Sequence, residues 1–424
     1  MQALSKKQAP LLIGFTWFLL TRFAPPNVLL LLGAVGLLLV ILWWNHGRLS
    51  LEGYSGFLMG ILLLGILGGV FYGAPWPYLI RDASYYVSPL LFFAIGFQLR
   101  QSLEGIILLR SFLFYVLFAT ILTLGETLLL FANSQPVSFE DLRSVLVGME
   151  MQVPLAFMLV SFAKDFGQES LLSGKGQLVV QILLLLRMTF SFSRTMYLML
   201  GLSLVIFWLC KPRRKSLKVS SLLYAFMGVL LVGALIWWAP GGIKENFLHK
   251  LTQTFQEVSA DTNWNIETNI IQNWRGYETS VAQKLFESGD ALQQSLGFGF
   301  GQLIPVSHGE LVGVSLEEGG ITILHNGYYS MLIKVGTVGV GLYVLFFMGT
   351  LITAWRKGLK QQMERPLVLY VSCAYLLATF VITGFFARGG DPWLVLLFAY
   401  GIASKKEQVV GAPALTQKLQ QSGQ

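Results

Sequence analysis

Charge is what this chain has least of. Lys, Arg, Asp and Glu make up 12% of its 424 residues, against roughly 25% in an average soluble protein. That scarcity excludes an ordinary water-facing globular fold. Cysteine is almost absent too: Cys210 and Cys373 lie inside or at the end of apolar segments, which argues against a disulfide framework, a thiolate metal site or a thiol nucleophile. There is no P-loop, no His-Glu-x-x-His, no pair of Cys-x-x-Cys and no Asp-x-Asp. Nucleotide-driven chemistry and the familiar divalent-metal sites therefore have no sequence support.

Apolar sequence is abundant instead. Hydrophobic residues reach 54% and the mean hydropathy is +0.62, so the chain reads as an all-α polytopic membrane protein. Apolar runs fall at 9 to 23, 27 to 45, 55 to 72, 84 to 99, 105 to 132, 144 to 163, 176 to 190, 194 to 210, 218 to 239, 326 to 354, 367 to 386 and 391 to 403. A spanning helix takes roughly 20 apolar residues. These runs predict about twelve transmembrane helices, with a range of ten to thirteen because the first, fourth, seventh and twelfth are short. Tryptophan pairs at Trp43-Trp44 and Trp237-Trp238 close two runs, as interfacial belts do. Met1 to Pro10 carries Lys6 and Lys7 but no small-residue cleavage site, so the N-terminus is expected to be retained.

The net charge of +8 does not point to nucleic acid, because the basic residues sit in short loops where membrane orientation explains them. With the N-terminus in the cytoplasm, the inward loops and tail hold eighteen Lys and Arg, including the cluster Lys211, Arg213, Arg214, Lys215 and Lys218. The outward short loops hold six: Arg22, Arg81, Arg143, Arg187, Arg194 and Arg388. This bias places both termini in the cytoplasm and the polar segment from Pro240 to Leu324 outside. The chain then divides into nine membrane helices over 1–239, an extracytoplasmic loop over 240–325, three further helices over 326–404 and a disordered cytoplasmic tail over 405–424. The loop of about 85 residues reads as largely helical. Phe247, Leu251, Phe255 and Val258 form one apolar stripe, and Trp274, Tyr277, Val281, Leu285 and Phe286 another, so its helices are expected to lie along the membrane surface. Gly297 to Gly320 is turn-rich and is expected to be mobile.

Candidate chemistry gathers on the outer face. Ser193 is placed to cap the helix that Arg194 begins, aiming free amides and the positive dipole end outward, where an anion would bind. Arg187 is either a second anion ligand or a structural charge, reaching headgroups or a buried acid. Arg275, flanked by Trp274 and Tyr277, lies on an amphipathic helix that would turn it toward the site. His325-Asn326 begins a helix entering the membrane. A neutral histidine there suits a general base, while Asn326 either caps the helix or bonds a substrate hydroxyl. Arg110, Glu126, Glu150 and Lys334 fall within apolar runs, where charge is costly and implies a partner or a cavity. Glu126 either pairs with Arg187 or serves as a second acid or base. Lacking ATP or metal machinery, outward-facing chemistry needs an already activated substrate, and a lipid-linked diphosphate fits.

Taken in order, Ser193-Arg194-Thr195, Trp274-Arg275, Gly297-Phe298-Gly299-Phe300-Gly301, His325-Asn326-Gly327-Tyr328 and the run from Lys334 to Tyr343 resemble the O-antigen ligase and O-antigen polymerase family of bacterial membrane glycosyltransferases. The resemblance covers roughly Leu183 to Tyr343 in motif, and the whole chain in its twelve-helix plan. Thr195-Met196-Tyr197 depart from the small residues that often follow Ser-Arg in that family. The resemblance implies transfer of a glycan from undecaprenyl diphosphate to an acceptor sugar hydroxyl on the outer face of the cytoplasmic membrane, with no cofactor or metal and with inversion at the anomeric carbon. It implies diphosphate binding by Arg194 and Arg275, with Arg187 as a third, and activation of the acceptor by His325. Trp274, Asn326, Tyr328 and Glu126 stand as further substrate contacts. The acceptor is a second lipid-linked repeat unit for a polymerase, the favoured reading, or lipid A core for a ligase. Membrane lipids and other polysaccharide assembly proteins are the remaining partners. A transporter or flippase for lipid-linked sugars is the competing class, though it has no evident need of so long an outer loop.

Overall fold

The computed structural model describes residues 8–39, 41–42, 53–133, 139–146, 148–166, 171–172, 174–210, 263–264, 266–309, 316–317, 320–356, 363–387 and 392–403. The ninth apolar run, the Lys211 cluster, the stripe from Phe247 to Val258 and the tail from 405 lie outside them. Within them the chain is helical, with two isolated β-bridges, Ile304 with Ile321 and Glu317 with Gly320. The helices are α1 (Ala9–Phe23), α2 (Pro26–Leu39), α3 (Ser55–Phe71), α4 (Trp76–Ser102), α5 (Gly105–Ala132), α6 (Phe139–Leu146), α7 (Gln152–Phe162), α8 (Gly174–Phe190), α9 (Arg194–Cys210), α10 (Glu267–Gln272), α11 (Trp274–Ser288), α12 (Ala291–Leu296), α13 (Gly327–Arg356), α14 (Glu364–Val381) and α15 (Pro392–Ile402).

Three of these, α5, α13 and α14, are long and apolar enough to cross a membrane, and α1, α3, α9 and α15 are shorter apolar helices. This makes the chain a membrane protein. The 28 residues of α5 rise about 42 Å at 1.5 Å per residue, more than a hydrocarbon core of about 30 Å. Two sequence expectations change. The fourth run, read as short, is the middle of the 27-residue α4, whose ends carry Arg81, Asp82 and Arg100 and so escape a count of apolar letters. The sixth run is not one helix but two, because Gly148 and Met149 take positive φ (95° and 62°) and break the chain between α6 and α7.

The core is aromatic. Phe93, Phe346, Phe347, Tyr375, Phe385 and Phe398 are buried, and their rings interlock at centroid separations such as 5.5 Å for Phe93 and Phe346 and 5.7 Å for Phe347 and Phe398. α4 is flanked by α2, α3 and α15, and α13 by α3, α11, α12 and α14.

Ionic contacts sort the helix ends. Arg22 at the end of α1 meets Glu126 near the end of α5 at 3.1 Å, and Arg187 in the last turn of α8 reaches Thr123 of α5. The two-residue link from α4 to α5 makes that pair antiparallel, so Asp82 near the start of α4 belongs to the same end. At the opposite end Arg100 pairs with Glu364 and lies 4.7 Å over the Tyr400 ring.

The glycine-rich segment after α12 is sewn into this frame. Gly336 (φ 66°, ψ −171°) interrupts α13, and the carbonyls of Ile333 and Lys334 just before the break accept from the amides of Phe298 and Gly299 at 2.7 and 3.2 Å. The Phe300 amide donates to the Gly65 carbonyl of α3 at 2.8 Å. A Cβ on Gly299 would lie 2.0 Å from the Gly69 nitrogen, so two backbones touch where only hydrogen fits between them. Within the stretch from Gly297 to Gly320, expected to be mobile, Gly297 to Gly301 is a strap held by three backbone bonds, while 310–315 and 318–319 lie outside the described residues.

Candidate functional site

The segment before α13 has a small core of its own, formed with α13 by Ile270, Tyr277, Ala282, Ile304, Val306, Ile321, Leu324 and Ile333. Ile333 belongs to α13, so the loop helices pack onto the top of a membrane helix. Surface lipid is not what their buried face covers. Trp264 and Trp274 flank the Tyr277 ring at 5.7 and 5.6 Å, and the Tyr277 hydroxyl meets Ser307 Oγ at 2.5 Å. The buried indole N–H of Trp274 has no hydrogen-bond partner among the described residues.

This packing sets α11 against the start of α13. Glu278 Oε2 receives the His325 backbone N–H at 3.1 Å and lies 2.9 Å from His325 Nδ1. The carboxylate side chain is 3% exposed and the imidazole 45%. A carboxylate can only accept, so in the neutral ring this contact favours the proton on Nδ1 and a lone pair on Nε2. Arg275 is half-buried one turn before Glu278 on the same helix. His325 is steadied further by its neighbours: the Leu324 amide donates to Ser330 Oγ at 2.9 Å, and Thr383 Oγ1 donates to the Leu324 carbonyl at 3.2 Å.

Asn326 takes the capping role. Its Oδ1 accepts from the amides of Tyr328 and Tyr329 at 3.1 and 3.4 Å, satisfying two donors of the α13 first turn. Tyr328 turns into the helix bundle, with its hydroxyl on the Leu376 carbonyl at 3.0 Å and its ring 4.4 Å from Phe380. It braces α13 on α14.

The remaining candidates occupy other places at this end. Ser193 Oγ accepts from the Met196 amide at 3.3 Å, so α9 begins with the expected cap and a half-buried Arg194. α14 packs against both α9 and α13. Arg187 is enclosed, 1% exposed. Its guanidinium holds Thr123 Oγ1 at 2.9 Å and the Gly148 carbonyl at 3.4 Å, while Glu150 Oε1 accepts from the Gly148 amide at 2.9 Å. The structure thus makes Arg187 a pin for the break between α6 and α7. Glu126 is bound to Arg22 and makes no ion pair with Arg187.

Two carboxylates escaped the sequence reading. Glu278 sits on the apolar stripe of α11, four residues from Trp274 and three from Val281, and a lone acid on a buried stripe was the available signal. Asp82 is the partner that Lys334 required. The two form a buried ion pair, with the Gly301 amide on Asp82 Oδ2 at 2.7 Å, and Lys334 also donates to the Gln302 carbonyl. Arg81 adds a 3.4 Å contact to Asp82 and a bridge to Glu317. Among the described residues, no group of three or more His, Cys, Asp and Glu is placed to hold a metal ion. No protein-family model and no curated protein sequence matches the chain.

Proposed function

We propose that the chain is a membrane glycosyltransferase of the bacterial cytoplasmic membrane. It moves a glycan from undecaprenyl diphosphate to an acceptor sugar hydroxyl on the extracytoplasmic face, as a surface polysaccharide polymerase with about twelve spanning helices. The observation that carries this reading is the carboxylate-bound, half-open His325 with Arg275 one helical turn from its carboxylate partner. A lone surface histidine would need neither. The reading also rests on the motif order described above.

In this mechanism the acceptor O–H gives its proton to His325 Nε2 as its oxygen bonds to the anomeric carbon. The bond from that carbon to the diphosphate oxygen breaks, and the electron pair leaves on the diphosphate. Guanidinium groups suit that leaving charge because they bind phosphate oxygens through two parallel donors, and Arg275 and Arg194 take this role. Attack opposite the leaving group inverts the anomeric centre. Arg187, enclosed by protein, supports the scaffold in place of touching the donor. The outer position of the site follows from the distribution of Lys and Arg along the chain.

Purified protein in liposomes, given lipid-linked repeat units alone, is expected to lengthen glycan chains, and chelator is expected to leave the rate unchanged. Transfer only after lipid A core is added would make the chain a ligase. Net movement of the lipid-linked sugar across the bilayer without glycan transfer would make it a transporter.

A further inference from the structure

We infer that Glu278 is the positioning residue of this site: it fixes His325 as the Nδ1–H tautomer and presents bare Nε2 to the acceptor hydroxyl. The inference deepens the proposed glycan transfer and rests on it. One oxygen, Oε2, takes both the backbone N–H of His325 and the ring nitrogen. The backbone contact sets where the residue begins, and the ring contact sets how the imidazole is turned. Together they remove the freedom by which a half-exposed histidine would sample the other rotamers and the other tautomer. Only the Nδ1–H form leaves Nε2 able to accept a proton. Once Nε2 has taken the acceptor proton, the ring is an imidazolium, and the buried carboxylate stands against that new charge.

The placement of Glu278 explains a second feature. Arg275 and Glu278 are three residues apart on α11, hence on adjoining turns. One rigid helix therefore carries both the proposed ligand of the leaving diphosphate and the group that orients the base, and it sets them in register. The alternative is a plain structural tether, in which the carboxylate merely holds the start of α13 to α11 through the backbone bond.

The test uses full-length protein in nanodiscs with ¹⁵N-labelled histidine. The chain has four histidines, and the His325→Ala spectrum identifies the His325 signals. The wild-type protein is expected to show His325 protonated at Nδ1 and bare at Nε2 when neutral. Glu278→Ala is expected to give a mixture of tautomers and to lower kcat about 10- to 100-fold, a usual range for a residue that orients a functional histidine, with KM for the lipid-linked donor within about twofold. In a His325→Ala background the same change is expected to lower kcat no further, because the two residues act as one unit. Should Glu278→Ala prove unstable, Glu278→Met fills a similar volume without an acceptor and is read in the same way. An unchanged Nδ1–H tautomer in the variant would overturn the inference, as would an equal kcat loss in the presence and absence of His325. The tautomer is read without substrate, so an absence of glycan transfer in the wild type would sink the proposed function while leaving this result to be judged by itself.

Discussion

His325→Ala is expected to lower glycan transfer by about 10²- to 10⁴-fold, the usual contribution of a positioned general base. Arg275→Ala is expected to cost about 10²- to 10³-fold, the effect of removing one donor that meets charge developing in a transition state. Neither change should unfold the protein. The His325 ring is 45% exposed, and Arg275 sits half-buried in the first turn of α11, so truncation opens no core cavity. The two losses should separate kinetically. Without the base the donor still binds and kcat falls, whereas without Arg275 the diphosphate loses a partner in both ground and transition states, and KM for the donor rises as kcat falls. Radiolabelled lipid-linked donor, with thermal unfolding in detergent as a control for folding, measures both. Near-normal transfer in both variants would remove the mechanism.

Lys334→Ala is expected to be the most destabilising single change at this end of the molecule, by about 3 to 5 kcal/mol, the range for breaking a buried ion pair from one side. Asp82 and Lys334 have side chains 2% and 4% exposed. Removing the ammonium leaves the buried carboxylate with the Gly301 amide on Oδ2 and the 3.4 Å contact from Arg81 on Oδ1. The damage should spread, because Lys334 also donates to the Gln302 carbonyl and lies two residues before the break at Gly336. The strap from Gly297 to Gly301, and with it the seat of α11, depends on that corner. Thermal unfolding of Lys334→Ala should show a clear loss. Adding Asp82→Asn to Lys334→Met should recover most of it, since replacing both charges removes the uncompensated one. If Lys334→Ala unfolds at the wild-type temperature, the pair does not hold the strap.

Several parts of this arrangement were legible in the sequence because they depend on neighbours along the chain. The apolar runs gave most helix positions. Ser193 before Arg194 and Asn326 before α13 are local caps, and both form. That Lys334 needed a partner followed from its place in an apolar run. Its identity did not, since Asp82 lies 252 residues away and only packing of α4 on α13 brings them together. The break at Gly148 and Met149 was masked by an unbroken apolar run, because hydrophobicity records burial and not φ. Arg187 was placed at the correct end of its helix, but its depth depends on the fold of the segment between α6 and α7. Glu278 was hidden for the opposite reason. An acid on an amphipathic helix reads as solvated until the partner it faces is known, and His325 comes 47 residues later.

The central claim is tested most directly by the stereochemistry and by-product of a single turnover. Purified protein in liposomes, supplied with an α-linked undecaprenyl diphosphate glycan and its acceptor in the presence of chelator, is predicted to release undecaprenyl diphosphate in step with formation of a β-glycosidic bond, and His325→Ala is predicted to slow both together by about 10²- to 10⁴-fold. Retention of the α configuration, or a donor consumed equally by wild-type protein and His325→Ala, would contradict it.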